Sequence, residues 1–202
     1  MGDVEISKAD ARRFLLRALI GSLCLTAMVA VFAILAGRFD ETAAKVVLTA
    51  LAISVYSVTA LAVASVMDTA SRLALTGWAS AVLGLPVSAA LIWSNWDHYD
   101  HALKGWAWVF GVVSVSCAHA AALIARRRPS DTTSIRNTLQ ATLVLIAVVA
   151  AMVAIPTALH LSHVGHAYTR TLGALFVLDV LGTVLLPILR KVESAAGRGA
   201  SR

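Results

Sequence analysis

Charge is what this sequence has least of. Lysine, arginine, aspartate and glutamate make up only 14% of its 202 residues, where a soluble domain carries about a quarter. Fifty-nine per cent of the chain is hydrophobic and the mean hydropathy is +0.81. A soluble fold of this size has too little interior to hide so much apolar side chain. That excludes a soluble domain and leaves the bilayer as the natural solvent. Cysteine is nearly absent: Cys24 and Cys117 both lie in apolar runs, so no disulfide framework is implied.

The chemistry of an enzyme is missing as well. Asp179 is the sole carboxylate inside an apolar run, whereas an aspartyl protease needs two that share a proton. A serine mechanism needs a nucleophile beside a base. Ser114 and Ser116 lie near His119, but no glycine-flanked nucleophile motif surrounds them. A two-histidine haem site lacks its second imidazole, because His119 is the only histidine well inside a run. No connection carries a phosphate-cradling glycine loop. These absences lean away from an enzyme.

What is there is a series of six apolar runs, at about 14–36, 44–66, 73–93, 105–125, 138–159 and 171–189. Each is near the ~20 residues a helix needs to cross a bilayer. The first is too long for the ~7–15-residue core of a signal peptide, so it reads as an uncleaved span. The runs are apolar nearly all round, as a lipid-immersed helix must be, and barrel strands would alternate instead. The expected fold is all-α: one polytopic domain over residues 1–192 with six transmembrane helices. A Gly-, Ala- and Ser-rich tail at 193–202 reads as disordered.

Basic residues set the orientation. Thirteen of the 17 lie at Lys8, Arg12, Arg13, Arg17, Arg72, Arg126, Arg127, Arg128, Arg136, Arg190, Lys191, Arg198 and Arg202, all at one end of the runs. Arg38, Lys45, Lys104 and Arg170 stand at the other. The positive-inside rule places both termini in the cytoplasm. A pI near 9.9 is then a topology signal and gives no reason to expect nucleic acid as a partner. Anionic lipid headgroups are the expected partners of the basic loops, Arg126 to Arg136 above all. Trp93, Trp96, Trp106 and Trp108 flank the second outer loop, where an aromatic belt belongs.

Lys45, Lys104 and Arg170 each open a span. Nine residues further lie Ser54, Val113 and Asp179; twelve further, Ser57, Ser116 and Gly182. Either three hairpins repeat one template, or small residues recur because they let membrane helices pack closely. Pro86, Pro156 and Pro187 interrupt the third, fifth and sixth runs. They mark binding sites or reflect only the frequency of proline in membrane helices.

Two sets of candidate site residues stand out. Asp179 lies nine residues past Arg170, about 13 Å into the bilayer, and His119 about 22 Å from the outer end of its run. An intramembrane carboxylate is costly and points to function by default. It is protonated, or it bonds hydroxyls at similar depth, of which Ser54, Tyr56 and Ser57 are the candidates. The alternative is a purely structural hydrogen bond. The second set is outside the bilayer: Asp97, His98, Asp100 and His101 in one outer loop, and His160, His163 and His166 before the last run. Imidazole and carboxylate together suit Zn, Cu or Ni. The same residues also serve as a solvated polar cap whose charge follows pH.

Phe39-Asp40-Glu41-Thr42 before a Leu/Val-rich span resembles the F-x-E-T opening of an uncharacterised group of bacterial six-span proteins. Leu178-Asp179-Val180-Leu181-Gly182-Thr183, with Pro187 beyond, is similar to that group's last span. The resemblance implies the six-span fold and a bacterial inner membrane, and no activity. The function expected is then a non-catalytic accessory or partner-binding subunit, acting with another protein or as a homo-oligomer. Two alternatives stay open: proton-coupled or ion transport through Asp179, and extracytoplasmic metal binding by the outer histidines. The topology is open to direct test. Single cysteines at Ser130 and His163 should label from opposite sides of the membrane, and labelling of both from one side would refute it.

Overall fold

The computed structural model describes residues 40–94, 101–129, 131–159, 161 and 165–199, with positions 21, 24, 28 and 31 before them. The expected first span, 14–36, otherwise lies outside the described residues. What is described is all-α. Five helices follow one another: α1 (Glu41–Ala64), α2 (Ser71–Trp93), α3 (His101–Ala125), α4 (Thr133–Ala158) and α5 (His166–Gly199). Each is long and apolar enough to cross a membrane, which is the character of a multi-pass membrane protein. They correspond to the second to sixth apolar runs.

Two of the helices, α1 and α4, begin before their apolar runs where polar residues cap them. Asp40 accepts a hydrogen bond from the Ala43 amide at 2.8 Å, satisfying one of the orphan donors of a helix start. Lys45 pairs with Glu41 one turn back at 2.6 Å. Thr132 caps α4 by accepting from the Ile135 amide at 3.4 Å. Its hydroxyl donates to Glu193 at 2.7 Å, tying the start of α4 to α5. Beyond Glu193, α5 stays helical to Gly199, through residues whose composition reads as a tail.

Each helix packs against its successor, and α1 also packs against α3. Helix α3 therefore borders both halves of the bundle. On one side Val63, Val66 and Ala74 meet Cys117 and Ala121. On the other, Ala120 and Leu123 meet Ile135, Leu139, Ile146 and Leu186. Outward-facing positions are large and apolar, such as Leu75, Val144 and Val177, as lipid contact requires.

Close approach is set by small residues. A Cβ on Gly84 would lie 2.6 Å from the Tyr56 ring, and one on Gly77 would sit 3.1 Å from the Cβ of Cys117. Around these contacts runs a satisfied polar seam. Tyr56 and Ser88 share a hydrogen bond of 2.9 Å. The Ser114 hydroxyl donates to Ser80 at 3.0 Å, and Ser80 to the Gly77 carbonyl at 2.9 Å. Thr59 donates to the carbonyls of Val55 and Ser114, at 3.0 and 3.3 Å.

Gly84→Ala should displace Tyr56 and break its bond to Ser88, while Gly173 has nothing within 4 Å of an added Cβ. Unfolding in mixed micelles should therefore place Gly84→Ala below Gly173→Ala by about 1–3 kcal/mol. Equal stability of the two variants would contradict the α1–α2 contact.

Candidate functional site

Helix α5 meets α4 closely where Gly182 faces Thr142: a Cβ on the glycine would collide with the threonine hydroxyl. Thr142 is fully buried and donates to the Thr138 carbonyl at 2.9 Å. One turn from Gly182 toward the start of α5 stands Asp179. Its side chain is drawn inward with that contact and is only 6% exposed. One turn in the other direction, Thr183 donates to the Asp179 carbonyl at 3.0 Å.

His119, on α3, joins this cluster through Nε2, 3.0 Å from the Thr183 hydroxyl oxygen. A hydroxyl has one proton. With Thr183 donating to the Asp179 carbonyl, its oxygen is open to accept from a His119 tautomer that carries its hydrogen on Nε2. His119 is thus linked to the backbone of Asp179 and not to its carboxylate. The carboxylate oxygen Oδ1 is buried and has no hydrogen-bond partner among the described residues.

The hydroxyls expected beside Asp179 by depth are used elsewhere. Ser54 donates to the Ala50 carbonyl at 2.8 Å within its own helix, and Tyr56 bonds Ser88. Ser57, half-buried, makes no described bond to Asp179. The reason is topological: α1 packs on α2 and α3, while the partner of α5 is α4. Equal depth does not make neighbours. Thr183, which bonds the Asp179 carbonyl, and Thr142, which faces Gly182, went unremarked in the sequence because threonine is common in membrane helices. For Thr183 the signal was the spacing Asp179–Gly182–Thr183, three and four residues apart on one helical face.

The outer-face candidates fare differently. Asp97, His98, Asp100, His160 and His163 lie outside the described residues, and His101 opens α3. His166 opens α5 and is exposed. Among the described residues no group of three or more potential ligands gathers.

A carboxyl whose buried oxygen lacks a partner carries an uncompensated desolvation penalty of about 1–3 kcal/mol. Asp179→Leu, close in shape, removes that penalty without breaking any described bond. The variant should melt at or above the wild type in detergent. A clear loss of stability would reveal a structural partner for the carboxyl. Comparison with family models, curated proteins and solved structures finds no match for the chain, so the resemblance read from residues 39–42 and 178–183 rests on those two short motifs alone.

Proposed function

We propose that this chain is a six-span membrane protein of three hairpins in a single bundle, both termini cytoplasmic, in a bacterial inner membrane. Within it, Asp179 is an intramembrane proton-binding group serving proton-coupled or ion transport. One observation carries the functional part: a carboxylate oxygen buried in the bundle without a hydrogen-bond donor among the described residues.

A helix bundle in lipid treats donors and acceptors unequally. Hydroxyls find acceptors readily, because helix carbonyls take a second hydrogen bond, as those of Val55, Thr138 and Asp179 do. An ionised carboxylate accepts only, and the N–H groups around it are already committed to their own helices. Protonation converts it into a donor for the carbonyls at hand. A proton carried there can leave only by a polar route or in exchange for a cation.

The sequence of α5 offers such a route. Asp179, Thr183, Pro187 and Lys191 recur every four residues along one side of the helix. Pro187 lies inside it and has no N–H, so the Thr183 carbonyl receives no bond from that position. His119 stands on this line through Thr183. An imidazole can pass a proton between its two nitrogens. One turn from Asp179 the other way, Phe176 lines a mostly apolar cavity of about 520 Å³ that Tyr56, Ser88 and Ser116 also border.

A partner-binding role fits this feature less well, since a second chain cannot reach a group 6% exposed. The test is proton flux into liposomes driven by a potassium diffusion potential and read with an internal pH dye. The wild type should acidify the lumen faster than protein-free liposomes. Asp179→Asn should lose at least about tenfold in rate, the order expected when a positioned acid–base group is removed. Flux at the protein-free level, or an undiminished rate in Asp179→Asn, would overturn the proposal.

A further inference from the structure

Where α3 ends against the last third of α5, the bundle opens a cavity of about 510 Å³. Its wall is formed by Arg126, Arg127 and Arg128 with Pro187, Arg190 and Lys191. Arg127 and Arg128 also border a second cavity, of about 610 Å³, that includes Arg136. We infer that this cleft is a binding site for the phosphate headgroup of an anionic phospholipid.

The balance of charge is the first argument. Among the described residues at this end stand Arg72, Arg126, Arg127, Arg128, Arg136, Arg190 and Lys191, against Asp68, Asp131 and Glu193. Asp131 is engaged: Arg190 holds it through Nε at 3.2 Å and Nη2 at 2.7 Å, and the Arg128 amide donates to it at 3.0 Å. Burial alone would raise this carboxyl. The bonds and charge of Arg190, with the Arg128 amide, hold it below its ordinary range, so it stays ionised. Its role is to fix Arg190, whose Nη1 edge is left unused by the pair, and to hold the α3–α4 turn against α5. Glu193 accepts the Thr132 hydroxyl. Asp68 is exposed, in the turn between α1 and α2.

Position is the second argument. The α3 carboxyl terminus points its last carbonyls toward Arg126 and Arg127, whose amides bond Leu123 and Ile124 at 3.3 and 3.0 Å, and a helix end of that polarity favours cations. Three arginines in sequence offer planar, multidentate donors suited to phosphate oxygens. From the cleft, α5 continues into the hydrocarbon with Ile188, Leu185 and Val184 exposed. That is an acyl-chain surface joined to a phosphate cradle. A free anion would use only the cradle; a phospholipid uses both.

The test takes the full chain in detergent and measures thermal unfolding on adding phosphatidylglycerol, phosphatidylcholine or inorganic phosphate. Phosphatidylglycerol should raise Tm well above the other two. Its apparent affinity should fall about fivefold for Arg127→Gln and about thirtyfold for Arg127→Gln with Arg128→Gln, at about 1 kcal/mol per cation near an anionic headgroup. Arg170→Gln, at the opposite end, should leave it unchanged. Replacing both arginines by lysine should restore much of the binding, which separates lost charge from lost fold. Equal stabilisation by phosphatidylcholine, or undiminished affinity in the double glutamine variant, would overturn the site. Full stabilisation by inorganic phosphate alone would make it a free-anion site and overturn the lipid assignment.

Discussion

Hydrocarbon offers no hydrogen-bond partner, and every polar group between the ends of these helices is arranged around that fact. Threonine and serine turn back on their own helices, as Thr49, Ser54, Thr76, Thr157 and Thr171 do. Others reach across: Thr59 to Ser114, Ser114 to Ser80, Tyr56 to Ser88, His119 to Thr183. Tyr168 donates to the Met152 carbonyl, closing the α4–α5 hairpin near its turn. Against this uniform satisfaction, the one buried orphan among the described side chains is Asp179.

The same constraint shapes packing. Lipid is as apolar as leucine, so burying leucine gains little and helices associate through close contact and hydrogen bonds. Gly77, Gly84 and Gly182 each let a neighbouring helix press a side chain onto bare backbone. Helix α3 touches both halves because its inward faces are small or polar: Ser114, Cys117, Ala120 and Ala121 are all buried. His119 lies between them and reaches the far helix. Without α3, nothing described would connect the Tyr56–Ser88 region to Asp179.

Span positions were readable from composition because a bilayer imposes one length and one polarity on every crossing. The five described helices follow those runs, with ends shifted where Asp40 and Thr132 provide caps. Helix pairing was not readable. Apolar all-round helices lack a stripe that declares which face meets which neighbour, and so Ser54, Tyr56 and Ser57 matched Asp179 in depth while lying on a helix that packs elsewhere. The Asp131–Arg190 pair was equally hidden, being 59 residues apart in sequence. Asp179 itself was legible, since a single carboxylate in an apolar run stands out against any background. Its neighbours were not, because threonine and glycine are ordinary in such helices.

Asp179 and the basic cleft share α5, and their separation along it has a consequence. From Asp179 to Lys191 is twelve residues, about 18 Å of helix, with Thr183 and Pro187 spaced evenly between. Seven cations gathered at one end raise the potential there, which opposes a proton arriving from that side and favours its departure toward it only when the charge is compensated. On the proposed lipid site, a phosphate among Arg126, Arg127, Arg128 and Lys191 would supply that compensation. Bound lipid and proton occupancy would then be linked through electrostatics, with no movement of the bundle required. At such a distance the coupling survives only where low-dielectric helices separate the two sites, since ordinary ionic strength screens charges about 8–10 Å apart in water.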